Sequence, residues 1–191
     1  MAKSPTTRDA VVPVLAEVFR EHGYEGASMA ILQEATGLGR GSLYHFFPGG
    51  KEEMAAAVLA DIGAWFREGV FVPLHAAPDA PSARQGISSM FDEVDAYFRS
   101  GRRVCLQGMF ALGRERDLFD DAVRGYFIEW VDALAAALQT ANTDDPTGRA
   151  VQVVSSVQGG IALSRALNDP SAFTTALDGA RSVAGLTPGG V

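Results

Sequence analysis

Apolar residues recur along this chain with a helical period almost from end to end. From about Thr7 to His22, Val11, Val12, Leu15, Val18 and Phe19 share one face, and Gly23 closes the helix. Pro13 falls inside that stretch, so a kink is expected there, or a helix start pushed towards Val12. Ser28 suits the N-cap of a short second helix ending near Thr36, and Gly37 supplies a left-handed turn. A third short helix is predicted over about 40–47, stopped by Pro48-Gly49-Gly50. A long fourth helix opens at Lys51-Glu52-Glu53 and carries Met54, Val58, Ile62, Trp65 and Phe66 inward. Pro73, Pro78 and Pro81 mark a loop. Further helices are predicted over about 82–100, 104–115, 118–141, 147–167 and 171–184. The tail GLTPGGV is expected to be disordered. No run shows the period-2 alternation of strands, so the fold class is all-α with about nine helices.

The informative stretch is SMAILQEATGLGRGSLYHFFPGGK, residues 28–51. At 100° per residue, Leu43, Phe46 and Phe47 of the third helix turn together towards the core. Gly41, Tyr44 and His45 then point away, flanked by Arg40 and Ser42. Gly39 and Gly41 remove bulk where that face begins, so another surface can approach the backbone closely. A recognition helix needs such a face, because its N-terminal end enters the major groove. Arg40 has the fork to pair with a guanine edge. The hydroxyls of Ser28, Ser42 and Tyr44 suit phosphate oxygens. Lys51 opens the fourth helix, where free N–H groups and the dipole already favour an anion. Spacing alone also fits a plain packing hairpin, and His45 on spacing is either a DNA contact or an exposed residue.

The same residues carry a resemblance. Phe-x-x-x-Gly-Tyr (Phe19 to Tyr24), Ser28, Ala-x-Gly-Leu (Ala35 to Leu38), Gly-Ser-Leu-Tyr (Gly41 to Tyr44), Phe47-Pro48 and Lys51 resemble the TetR family of transcriptional regulators. The resemblance implies a three-helix helix-turn-helix DNA-binding head over 1–50. It also implies a helical effector-binding and dimerisation domain over 51–185, with a tail over 186–191. It carries DNA contacts onto Ser28, Gly39, Arg40, Gly41, Ser42, Tyr44, His45 and Lys51. It further implies a ligand-responsive repressor that binds a palindromic operator as a homodimer. Phe47-Pro48-Gly49-Gly50-Lys51-Glu52, with Arg103-x-Cys105-Leu106, Glu115 and the run Gly160 to Ala166, resembles the LmrA/YxaF-like branch. That branch suggests a small hydrophobic or aromatic effector. Pro13 and Ala30 depart from the family pattern.

Charge complicates the picture. The 191 residues carry 16 Lys/Arg against 23 Asp/Glu, a net charge of −7. Residues 1–54 are themselves acidic, with five Lys/Arg against seven Asp/Glu. Sequence-blind DNA packaging depends on phosphate neutralisation and is excluded by this balance. A DNA surface here must be a local arrangement of a few cations and hydroxyls, and an acidic body repels DNA elsewhere. Cys105 is the single cysteine, which rules out a disulfide framework within the chain, fits a reducing cytoplasm, and reads as a small buried hydrophobe. The N-terminus lacks the apolar stretch of a secretory signal, and no run is long and apolar enough for a bilayer. His22, His45 and His75 stand apart from one another and from Cys105, so neither a metal site, a catalytic set nor a cofactor is expected. Arg114-Glu115-Arg116-Asp117 reads as a solvated helix end.

The C-terminal part is rich in aromatic positions. Such stripes mostly build core, but a ligand pocket between helices is lined by the same residue types. The candidate effector set is Trp65, Phe66, Met109, Phe110, Tyr126 and Trp130, with Gln107 and Gln158 as polar anchors. Val151, Val154, Val157, Ile161 and Leu163, with Gly159-Gly160, are the candidate dimer face or else part of the monomer's own core. The fourth helix links the head to the candidate pocket, so an effector beside its C-terminal half is expected to tilt it and respace the two heads. The rival reading is a helical-bundle small-molecule carrier with a vestigial head.

Overall fold

A computed structural model describes residues 7–186, and all regular structure in that span is helical. The helices are α1 (Arg8–Gly26), α2 (Met29–Thr36), α3 (Arg40–Phe46), α4 (Gly50–Phe66), α5 (Val72–His75), α6 (Ala80–Phe98), α7 (Leu106–Leu112), α8 (Asp120–Thr140), α9 (Pro146–Leu167) and α10 (Ser171–Val183). A π-helical turn, Arg67–Phe71, follows α4 directly and runs on into the four-residue α5. A 3₁₀ turn, Arg114–Leu118, precedes α8. Of the expected tail, residues 187–191 lie outside the described residues.

Pro13 neither breaks α1 nor moves its start. The helix begins at Arg8, capped by the Thr7 hydroxyl, which accepts from the Ala10 N–H at 3.3 Å. The break comes at Gly23, with φ 68°. Pro73 does not lie in a loop. It is the second residue of α5, and Pro81 lies in the first turn of α6, where its missing N–H costs no helical hydrogen bond. Asp79 caps α6, accepting from the Ser82 N–H at 2.8 Å. Glu115 is not solvated. It is buried in the 3₁₀ turn with its carboxylate folded back over Gly113.

The described residues form two compact units, 7–64 with 106–124, and 65–105 with 125–186. In the first, α1 packs on α2 and α7, and Val11, Leu15, Phe19, Leu32, Leu43, Phe47, Met54 and Phe110 are fully buried. Phe19, Tyr24, Phe110 and Phe119 form its aromatic centre, with ring centroids 5.3–6.3 Å apart. In the second, α9 lies along α10. Gly160 permits that approach, because a Cβ there would sit 2.8 Å from the Ala176 Cβ. The apolar residues of α9 divide. Val154, Val157 and Ile161 complete the unit's own core, whereas Val151 and Leu163 face outward.

Candidate nucleic-acid interface

The corner between α2 and α3 is fixed by a few local devices. Ser28 caps α2, accepting from the Ile31 N–H at 3.4 Å. Gly37 takes φ 66°, ψ 15°, the left-handed geometry that ends α2. The buried Thr36 hydroxyl donates to the Leu32 carbonyl at 2.7 Å and accepts from the Leu38 N–H at 3.4 Å. Gly39 offers α3 no side-chain cap. Gln33 supplies one from α2: in the amide orientation that satisfies both partners, its oxygen accepts from the Arg40 N–H at 2.9 Å and its nitrogen donates to the Met29 carbonyl at 3.3 Å. One side chain thus ties the start of α3 to α2.

Leu43 and Phe47 are fully buried and Phe46 half-buried, so this face of α3 points inward as the periodicity implies. Gly39, Arg40, Gly41, Ser42, Tyr44 and His45 are all exposed, as is Ser28. A Cβ added at Gly39 or Gly41 would meet nothing within 4 Å, so the surface is open there. The Arg40 guanidinium lies 5.5 Å over the Tyr44 ring, one turn along. Tyr44 in turn rests beside Gly50, whose φ of 68° starts α4.

Lys51 is half-buried rather than freely extended. Its ammonium donates to the Tyr24 carbonyl at 2.9 Å and sits 4.3 Å over the Tyr24 ring. Two of its three donors remain for another acceptor. Burial pushes the Tyr24 phenol up, with help from Glu52, Glu25 and Glu115, so Lys51 stands on a neutral ring. Two further residues belong to this surface. Arg8 stacks 4.9 Å over Phe47 and pairs with Glu53 at 3.7 Å. Glu53 accepts from the Gly49 N–H at 2.8 Å, holding the turn before α4. Neither Gln33 nor Arg8 carries a local sequence signal, since each acts on a partner that only the fold brings near.

Four of the eight candidate effector residues come together in the second unit. Phe66 lies 5.0 Å from Trp65, 5.2 Å from Tyr126 and 5.6 Å from Trp130. Gln107, Met109 and Phe110 belong to α7 in the first unit. There the Gln107 amide donates to the Leu59 carbonyl at 3.2 Å, and Phe110 packs on Phe19, Tyr24 and Phe119. Gln158 lies on α9, its amide nitrogen buried with no hydrogen-bond partner among the described residues. No group of three or more His, Cys, Asp or Glu among the described residues is arranged to hold a metal ion. No helix among them is long and apolar enough to cross a membrane.

Comparison with known proteins returns the same head. The family described as bacterial regulatory proteins, tetR family, matches residues 14–58. The HTH-type transcriptional regulator LmrA of Bacillus subtilis (strain 168) is 25% identical over 164 residues, spanning 83% of this chain and 86% of that protein. A TetR transcriptional regulator from Legionella pneumophila superposes with a TM-score of 0.79 at 21% identity, covering 95% of this chain and 98% of that one. The regulator CifR, solved as a cysteine mutant with 26-bp double-strand operator DNA, superposes with a TM-score of 0.74 at 24% identity, covering 97% and 100%.

Proposed function

The chain belongs to the TetR family of bacterial regulatory proteins, and from that premise we propose a homodimeric, ligand-responsive repressor that reads a palindromic operator through α3. The observation that supports this most is the outward face of α3. It is exposed, free of bulk at Gly39 and Gly41, and cationic at Arg40. Arg40 forks onto a guanine edge, with its guanidinium already oriented by the Tyr44 ring. Ser28, Ser42, the Tyr44 hydroxyl and the spare donors of Lys51 take phosphates, with Gly39, Gly41 and His45 at the DNA surface. Arg8 adds a further phosphate contact. With a net charge of −7, the acidic remainder of the chain discourages non-specific contacts.

The dimer reading rests on α9. Val151, Ser155, Gly159, Leu163 and Leu167 form one i, i+4 row, and all are exposed. Such a row on two copies interdigitates as ridges into grooves. The effector reading rests on the Trp65, Phe66, Tyr126 and Trp130 cluster. The chain passes between the two units after residues 64, 105 and 124, beside Trp65, Cys105 and Tyr126. An effector that moves the cluster therefore pulls on α4 and on the 106–124 segment together. A working switch needs a coupling of about 1–3 kcal/mol.

Selection from a random duplex library at near-physiological salt tests the reading. The expected result is enrichment of a palindrome with two half-sites. A folded chain that enriches no sequence contradicts it, and favours a ligand carrier that keeps the head for structure alone.

A further inference from the structure

Five of the first 54 residues are Lys or Arg, and four of these, Arg8, Arg20, Arg40 and Lys51, lie among the described residues. They divide by what holds them. Arg8 pairs with Glu53 at 3.7 Å and Arg20 with Glu17 at 2.8 Å, so a carboxylate answers each charge. Arg40 and Lys51 pair with no carboxylate among the described residues, although the stretch holds more Asp and Glu than Lys and Arg. Each lies instead over a tyrosine ring, Arg40 at 5.5 Å from the Tyr44 centroid and Lys51 at 4.3 Å from that of Tyr24. A ring face attracts a cation without cancelling its charge. An ion pair would hold the same side chain but leave less charge for a phosphate.

The mount under Lys51 is built from distant parts of the chain. Its ammonium also donates to the Tyr24 carbonyl at 2.9 Å. That carbonyl is left open by the break in α1. Gly23 takes φ 68° and ψ 175°, and the Ser28 N–H then donates to the Gly26 carbonyl at 2.8 Å rather than reaching back four residues to Tyr24. The Tyr24 ring is fixed in its turn. Phe119 and Phe110 meet it at 76° and 72°, with centroids 5.4 and 6.0 Å away, and Phe19 stacks at 6.2 Å. Tyr24, Phe110 and Phe119 are all buried, and the last two come from the 106–124 segment of the same compact unit.

We propose that Tyr24, braced by Phe119, is a positioning residue for operator binding. Its carbonyl and ring order the Lys51 side chain before DNA arrives, and the remaining donors of the ammonium meet one phosphate. This rests on the regulator reading above and deepens it. A free lysine has to give up its rotamer freedom on binding, whereas one already held gives up little. The gain is the same for every base sequence, because a phosphate carries no base identity.

The test uses the full chain. Lys51 is one of two lysines, with Lys3, so protein carrying carbon-13 lysine gives a spectrum that Lys51→Met assigns. In the free protein the Lys51 Cε protons should lie upfield, shifted by the Tyr24 ring. Tyr24→Phe keeps the ring and the carbonyl, and should keep both the shift and the operator affinity. Tyr24→Leu should abolish the shift and weaken the selected duplex about two- to tenfold, the cost of ordering one long side chain. Lys51→Met should weaken every duplex alike and lower the slope of log affinity against log salt by about 0.9. In the Tyr24→Leu background Lys51→Met should lose correspondingly less affinity. A merely structural Tyr24 would lower affinity without changing what Lys51→Met loses. Should Tyr24→Leu fail to fold, Phe119→Leu, which leaves Tyr24 in place, should reduce the shift and the coupling in the same sense. An unshifted Lys51 signal in the wild type would overturn the proposal. So would an equal loss on Lys51→Met in the parent and in the Tyr24→Leu or Phe119→Leu background. A folded wild-type chain that binds no duplex overturns the regulator reading and the proposal with it, whereas normal binding with equal losses overturns only the positioning role.

Discussion

Gly101 shows what one residue carries in this fold. It takes φ 82°, and a Cβ there would lie 2.5 Å from the Phe173 Cβ and 2.8 Å from the Ser164 hydroxyl. Gly101→Ala therefore suffers backbone strain and overpacking together, about 2–5 kcal/mol in all. Urea unfolding should show that loss, and a loss under about 1 kcal/mol would mean the α6–α7 turn relaxes freely. A second residue gives a pH signature. The Arg67 hydrogen bonds hold the Glu129 carboxyl below its usual range. A folded-state value below the unfolded one adds stability above the ordinary carboxylate range, and that stability fades as pH falls through it. Arg67 is mostly exposed, so the pair contributes only about 0.2–1 kcal/mol. Arg67→Ala should flatten the acid limb of melting temperature against pH by that amount. An unchanged limb would show the pair to be silent. At this scale the outward face of α3 was legible, because exposure follows from period alone. Glu115 was not, since a charged residue in a polar run reads as solvated until the fold turns its carboxylate back over Gly113.

Elements with strong punctuation were read closely. The limits of α2, α3, α9 and α10 agree with Ser28, Gly37, Pro48 and Asp169-Pro170 to within a residue or so. Proline misled twice. Pro13 implies a kink or a late helix start but lies inside an α1 that begins at Arg8, and Pro73 implies a loop but lies in the first turn of α5. Periodicity does not report whether the packing around a proline outweighs the helical hydrogen bond it forgoes. The π turn carries no sequence mark either. At α3 the key feature is the Gln33 bridge. Gln33→Leu should keep the fold and lower operator affinity at every base position, since it frees the start of the recognition helix. The lost bond accounts for about 0.5–1.5 kcal/mol. Arg40→Ala should behave differently, costing about 1–3 kcal/mol and relaxing preference at one position of each half-site. Anisotropy titrations on the selected duplex and its single-base variants separate the two. Identical profiles for both variants would remove Arg40 from base reading.

On the scale of the whole molecule, the all-helical architecture was legible and the division of labour was not. The 106–124 segment reads as part of the C-terminal half but belongs to the same compact unit as α1–α3. That placement depends on Phe110 and Phe119 meeting Phe19 and Tyr24, a contact across about ninety residues that no local pattern encodes. The same contact places Gln107, Met109 and Phe110 in the first unit, whereas Trp65, Phe66, Tyr126 and Trp130 belong to the second. The exposed α9 row makes the assembly testable. Leu163→Arg places a charge at its middle and should shift the dimer to monomer in sedimentation while the helical signal persists. An unshifted dimer would put the interface elsewhere. Two copies of α3 reading one operator should leave a mark in hydroxyl-radical footprinting of the selected duplex. Two protected patches are expected on one face of the DNA, about 10–10.5 bp apart or a multiple of that, both lost together on Leu163→Arg at limiting protein. A single patch, or protection without a two-fold pattern, would contradict it.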